Sequence, residues 1–125
     1  MSIFTKLFKW VPFGSVAEMN AENMYEQLKK NELQIVDVRS VAEWEQSHIE
    51  GSINLPITQF SSDNISKLKL SPETKIVAIC LSAHRSIPAV RQLKALGYKD
   101  TCQLKGGMTS WWRLKLPTIK GNNKT

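Results

Sequence analysis

KIVAICLSAHRSIPAVRQLKALG, residues 75–97, holds a strand, a thiol-bearing loop and a helix in immediate succession. Ile76, Val77, Ala78 and Ile79 form an unbroken apolar run with β-branched members, the pattern of a central strand buried on both faces of a parallel sheet. The run stops at Cys80. Beyond it Ser86 is a good N-cap residue, Pro88 is tolerated in a first turn, Val90, Leu93 and Leu96 recur at helical spacing, and Gly97 closes the helix. A thiol therefore sits between a strand end and a helix start, where open α/β sheets collect ligands and where free N–H groups and a partial positive charge are available. With Arg85 nearby, this environment favours a nucleophilic thiolate.

Cys80-Leu81-Ser82-Ala83-His84-Arg85-Ser86 resembles the active-site loop of the rhodanese domain, a sulfurtransferase family. Other segments agree in family order. Ile35-Val36-Asp37-Val38-Arg39 is similar to the family's strand ending in Asp-Val-Arg, and Glu43-Trp44 with Ser47-His48-Ile49-Glu50-Gly51-Ser52-Ile53-Asn54-Leu55-Pro56 resembles its Gly-His-Ile-x-Gly-Ala-x-Asn-x-Pro segment. Leu104-Lys105-Gly106-Gly107-Met108 and Trp111 resemble its closing Gly-Gly-Met/Ile-x-x-Trp. The likeness runs from about Val16 to Pro117. It implies a three-layer α/β/α sandwich around a central, mostly parallel five-stranded sheet, in the rhodanese strand order. It also implies a single rhodanese domain over residues 15–117, preceded by an arm (1–14) and followed by a basic tail (118–125).

Composition is compatible with one domain and excludes little. A chain of 125 residues that is 42% hydrophobic can bury a core without disulfides. Cys80 and Cys102 lack the paired spacing of a zinc site, so reduced thiols and no metal are expected. A formal charge of +6 could attract anions or nucleic acid, yet Lys and Arg are dispersed and no aromatic-basic recognition pattern stands out. No glycine-rich nucleotide fingerprint is present, and no cofactor is expected.

The arm reads MSIFTKLFKWVPFG, too short an apolar run to span a bilayer. Lys9 and Pro12 interrupt it, and secretory cleavage after Ala17 would remove part of the first strand, so a cytoplasmic protein is expected, with export or membrane association as the alternative. Ile3, Leu7, Trp10 and Val11 could share a helical face, which allows weak membrane or partner contact through residues 1–13. The alternative is a tail that packs on its own domain or frays.

Further along, Val16 to Met19 predicts an opening strand, Asn20 a cap for a helix to about Lys30, and Gln34 to Val38 a second buried strand. Asp37 and Arg39 then fall at a carboxyl end; by resemblance they brace the loops beside the active site. Ser40 caps a short helix with Glu43 and Trp44, Ser52 to Asn54 forms a strand, and Ile65, Leu68 and Leu70 cover the sheet from a short helix. His48 is expected in the scaffold. Thr101 to Leu104 supplies the last strand, and Gly106-Gly107 the tight turn into a helix around Trp111.

Sulfur transfer needs a thiolate that attacks a sulfane sulfur, holds it as a persulfide and surrenders it to a second nucleophile, and Cys80 is the candidate. The loop Leu81, Ser82, Ala83, His84, Arg85 and Ser86 would bind the substrate through inward N–H groups, Arg85 adding charge, Ser82 and Ser86 hydrogen bonds, and His84 pointing outward. The donor would be a small sulfur anion such as thiosulfate or a persulfide, and a protein donor or acceptor fits the same chemistry. Cysteine-dependent phosphatases and arsenate reductases are the rival enzymes, but phosphatases place one residue more between Cys and Arg than the four here. A non-catalytic interaction module is the other rival, and the presence of both Cys80 and Arg85 speaks against it. Two departures stand out. Ala83 replaces the family's frequent Gly and would be strained in a left-handed backbone, and Leu81 makes the entrance apolar, so weak activity with free thiosulfate is expected.

Overall fold

The computed structural model describes residues 16–121. The arm and its expected surface contact lie outside the described residues, as do residues 122–125 of the tail. In chain order the elements are β1 (Glu18–Met19), α1 (Ala21–Lys29), β2 (Leu33–Asp37), α2 (Val41–Gln46), β3 (Ile53–Asn54), a 3-10 turn (Ile57–Gln59) and α3 (Ser62–Lys67). They continue with β4 (Lys75–Ile79), α4 (Ser86–Ala95), β5 (Thr101–Leu104) and α5 (Gly107–Arg113).

The strands form one sheet in the order β1-β5-β4-β2-β3, with every neighbouring pair parallel. β4 lies at the centre: Ile35 stands beside Val77 and Val36 beside Ala78 on one side, while Cys102 stands beside Val77 on the other. Because side chains alternate across a strand, its continuous apolar run fills two cores. Val36, Ile76 and Ala78 meet Ile65 of α3 and Ala89, Val90 and Leu93 of α4. Ile35, Val77 and Ile79 meet Met24 of α1 and Met108 and Trp111 of α5. The three-layer arrangement follows from burying both faces.

Local signals set most helix starts. Asn20 accepts the Asn23 N–H at 2.8 Å, and Ser40 and Glu43 make a reciprocal capping box at the start of α2. Ser86 departs from expectation. Arg85 occupies the N-cap position of α4 without a capping side-chain bond, and Ser86 is the first helical residue with its side chain buried. Its hydroxyl serves the interior instead.

His48 belongs to the scaffold, as expected. Its ring stacks on Trp44 with centroids 3.7 Å apart, and Nδ1 donates to the Trp44 carbonyl at 2.6 Å. The chain beyond Pro117 is paired as well. His48 and Ile119 exchange backbone hydrogen bonds of 2.9 and 2.8 Å, and the Gly121 N–H reaches the Glu45 carbonyl at 2.7 Å.

Candidate active site

β2 and β4 lie side by side at the point where successive connections leave in opposite directions, β2 feeding β3 and β4 feeding β5. Such a switch point opens a crevice at the carboxyl ends of the strands. Cys80 follows β4 there and is 1% exposed. Residues 81–84 form bends, and α4 begins directly after Arg85. Ala83 has φ +75°, the left-handed conformation that its side chain disfavours. Ser82 and His84 are exposed and linked by an Oγ···Nδ1 contact of 3.2 Å, and Leu81 is 38% exposed.

Arg85 does not stand alone at the entrance. Its guanidinium makes a two-pronged pair with Glu43, Nη1 to Oε1 at 2.8 Å and Nη2 to Oε2 at 3.1 Å. That hydrogen bond is the main reason the Glu43 carboxyl titrates at about 2 and the Arg85 pKa is raised. The loop's charge is therefore shared with a carboxylate from α2. Nothing near Arg85 in sequence signalled this, since 42 residues separate the partners.

Asp37 and Arg39 form a buried pair beside the loop. The Arg39 backbone N–H and Nε each reach Asp37 Oδ1 at 3.0 Å, Nη2 reaches Oδ2 at 2.8 Å, and Nη2 also donates to the Ser47 carbonyl at 2.7 Å. Asn54 Nδ2 spans the carbonyls of Asp37 and Arg39 at 3.0 and 2.9 Å. These bonds tie the end of β2 to the segment after α2 and to β3, a bracing arrangement in which each charge is satisfied.

A second loop clamps the first. Gly106 and Gly107 both have positive φ, and the opening turn of α5 sends the Met108 N–H to the Cys80 carbonyl at 2.9 Å and the Thr109 N–H to that of Leu81 at 3.1 Å. Thr109 Oγ1 adds a bond to the same Leu81 oxygen at 2.9 Å. A Cβ on Gly107 would lie 2.3 Å from the Cys80 carbonyl oxygen, so only glycine permits this approach.

Behind the thiol, Ser86 Oγ lies 3.5 Å from Cys80 Sγ and donates to Gln103 Oε1 at 2.6 Å, while Gln103 Nε2 donates to Glu18 at 2.8 Å. Gln103, Glu18 and Thr109 were not singled out in the sequence; a glutamine inside the short buried strand TCQL was the one available signal. Cys102 sits in that strand, buried, with its thiol pKa pushed up by desolvation. Both cysteines are unbridged. Among the described residues no group of His, Cys, Asp and Glu side chains gathers as a metal site, and no helix is long and apolar enough to cross a membrane.

The model of the rhodanese-like domain matches residues 20–114. The chain belongs to this family. A putative sulfur carrier protein of Bacillus subtilis, YrkF, is 31% identical over 99 residues, covering 78% of this rhodanese-like chain and 52% of the relative. The adenylyltransferase and sulfurtransferase uba4 of Ogataea parapolymorpha is 34% identical over 79 residues, 63% of this chain and 20% of that protein. The chain spans about half the length or less of these curated relatives. Among solved structures, a rhodanese-related protein from Thermoplasma volcanium superposes with a TM-score of 0.71 at 30% identity, covering 83% of this chain and 98% of the other. Its likeness agrees with the five-stranded parallel sheet of this rhodanese-like domain.

Proposed function

We propose that this rhodanese-like domain is a sulfurtransferase that carries a sulfane sulfur on Cys80. The observation that carries the reading is the place of the thiol: Cys80 lies at the carboxyl end of the central strand, in a loop that closes directly into a helix N-terminus. In the first half-reaction the Cys80 thiolate attacks the donor's outer sulfur. A sulfur–sulfur bond to Cys80 forms, the donor's own sulfur–sulfur bond breaks, and the leaving thiolate or sulfite departs with the electron pair. An acceptor nucleophile then takes the outer sulfur and returns Cys80 as thiolate. A left-handed residue at Ala83 followed by a right-handed one at Arg85 is backbone of the kind that turns successive N–H groups inward around an anion.

The donor that fits best is a persulfide carried on a protein or a weakly charged thiol. Arg85 shares its charge with Glu43, and Leu81 presents an apolar side chain at the loop. Relatives named as a sulfur carrier and as an adenylyltransferase and sulfurtransferase support the same class of partner.

The test is intact-protein mass spectrometry after incubation with thiosulfate and with a protein or small-molecule persulfide, followed by transfer to cyanide. One added sulfur on Cys80, abolished in Cys80→Ser and retained in Cys102→Ser, is the expected result. Loading of Cys102, or transfer that survives Cys80→Ser, would refute the assignment.

A further inference from the structure

Gln103 is fixed in orientation by chemistry that leaves no choice. A carboxylate only accepts hydrogen bonds, so the amide nitrogen of Gln103 must face Glu18, at 2.8 Å, and its oxygen must face Ser86. An amide oxygen also only accepts. The Ser86 hydroxyl therefore spends its single hydrogen on Gln103, at 2.6 Å, and turns a lone pair toward Cys80 Sγ, 3.5 Å away. Cys80, Ser86 and Gln103 are all buried, so water does not replace a missing partner there.

A thiol and a thiolate meet this arrangement differently. The S–H of a thiol can donate to the Ser86 lone pair, whereas a thiolate needs a donor. To supply one, Ser86 must turn its hydrogen away from Gln103 and leave the buried amide oxygen unpaired. We infer that Gln103, held by Glu18, is a positioning residue that makes Ser86 a hydrogen-bond acceptor toward Cys80, a contact matched to the neutral thiol and not to the thiolate. The inference rests on the reading of Cys80 as the reacting thiol. It opposes the other groups that face the loop: Arg85 with its partner Glu43 from α2, the buried Asp37–Arg39 pair at the end of β2, exposed His84 within the loop, and the first-turn N–H groups of α4.

The experiment follows alkylation of Cys80 by iodoacetamide against pH, resolved at the peptide level so that Cys102 is scored separately. In Gln103→Leu the Ser86 hydroxyl is free to donate to sulfur, and the alkylation midpoint is expected to fall by about one pH unit. Glu18→Lys, a change at an exposed position whose ammonium only donates, forces the Gln103 amide to reverse and should shift the midpoint in the same direction. This second variant is the one read if Gln103→Leu does not fold. Measurement in about 1 M salt, where the Debye length is about 3 Å, separates this from the change of charge at residue 18. In a Ser86→Ala background neither change should move the midpoint. An unmoved midpoint in the variant that is read, or an equal shift with alanine at 86, would overturn the inference. Failure of the sulfur-transfer reading would appear separately, as a missing persulfide on Cys80 in the mass spectrum.

Discussion

Ala83 and Glu43 are the two residues at which this site most visibly departs from a simple anion-binding loop. Ala83 holds φ +75°, and a side chain in the left-handed region costs roughly 1–2 kcal/mol that glycine avoids. Ala83→Gly is expected to raise thiosulfate kcat/KM up to several-fold, since strain released in the ground state lets the loop settle more often in its reactive form; steady-state kinetics check this, and no gain would refute the strained-loop account. Glu43 has the opposite character. Its carboxyl falls from an ordinary 4.5 to about 2, chiefly through Arg85, so the folded state favours the ionised form. The stability this contributes is complete above about pH 4.5 and is lost as the pH falls toward about 2. Both side chains are about one-third exposed, 34% for Glu43 and 36% for Arg85, so the pair is worth no more than about 1 kcal/mol after screening. Glu43→Gln retains a capping-box side chain but lacks the charge. It is expected to flatten denaturation midpoints between about pH 4.5 and about 2, and to lower KM for thiosulfate by freeing the Arg85 charge. An unchanged KM would show that Arg85 does not meet the donor.

Among the elements, α4 and α5 hold the loop after Cys80 from two sides, α4 by continuing it and α5 by clamping the Cys80 and Leu81 carbonyls. The α5 clamp depends on a backbone approach that Gly107 alone allows, with φ +57° and carbonyl oxygens of Cys80 and Leu81 where a Cβ would be. Gly107→Ala must push α5 away from the loop, breaking the Met108 and Thr109 bonds. A destabilisation of about 2 kcal/mol or more is expected in chemical denaturation, with sulfur transfer reduced further than stability alone explains at temperatures where the variant remains folded. Full activity would mean that the loop keeps its shape without the clamp.

For the whole molecule, the resemblance put the domain end at Pro117, while the described chain goes on to pair Ile119 with His48 and Gly121 with Glu45. These bonds close the chain over the His48 and Trp44 stack, behind the helix that supplies Glu43. Ending the chain after Pro117 is expected to cost about 1–2 kcal/mol, seen as a lower thermal midpoint by calorimetry. An unchanged midpoint would put the effective domain boundary at 117.

What could be read along the chain is what local periodicity and turn chemistry govern. Ile76 to Ile79 declared a doubly buried strand because no polar residue interrupts it, Asn20 and Ser40 declared helix starts, and Gly106-Gly107 declared a tight turn. The place of Cys80 just past a strand end was legible for the same reason, whereas the left-handed risk at Ala83 came from the family resemblance, in which glycine is frequent at that position. Ser86 misled because a hydroxyl before a helix is ordinarily a cap; the strand order instead put Gln103 beside it, and a buried amide oxygen claimed the hydrogen. The partners of Arg85, Ser86 and Gln103 lie 42, 17 and 85 residues away, distances over which no sequence pattern carries information. Only the packed sheet decides which polar groups meet there, because burial forces each donor and acceptor to take the partner that the neighbouring strand or helix presents.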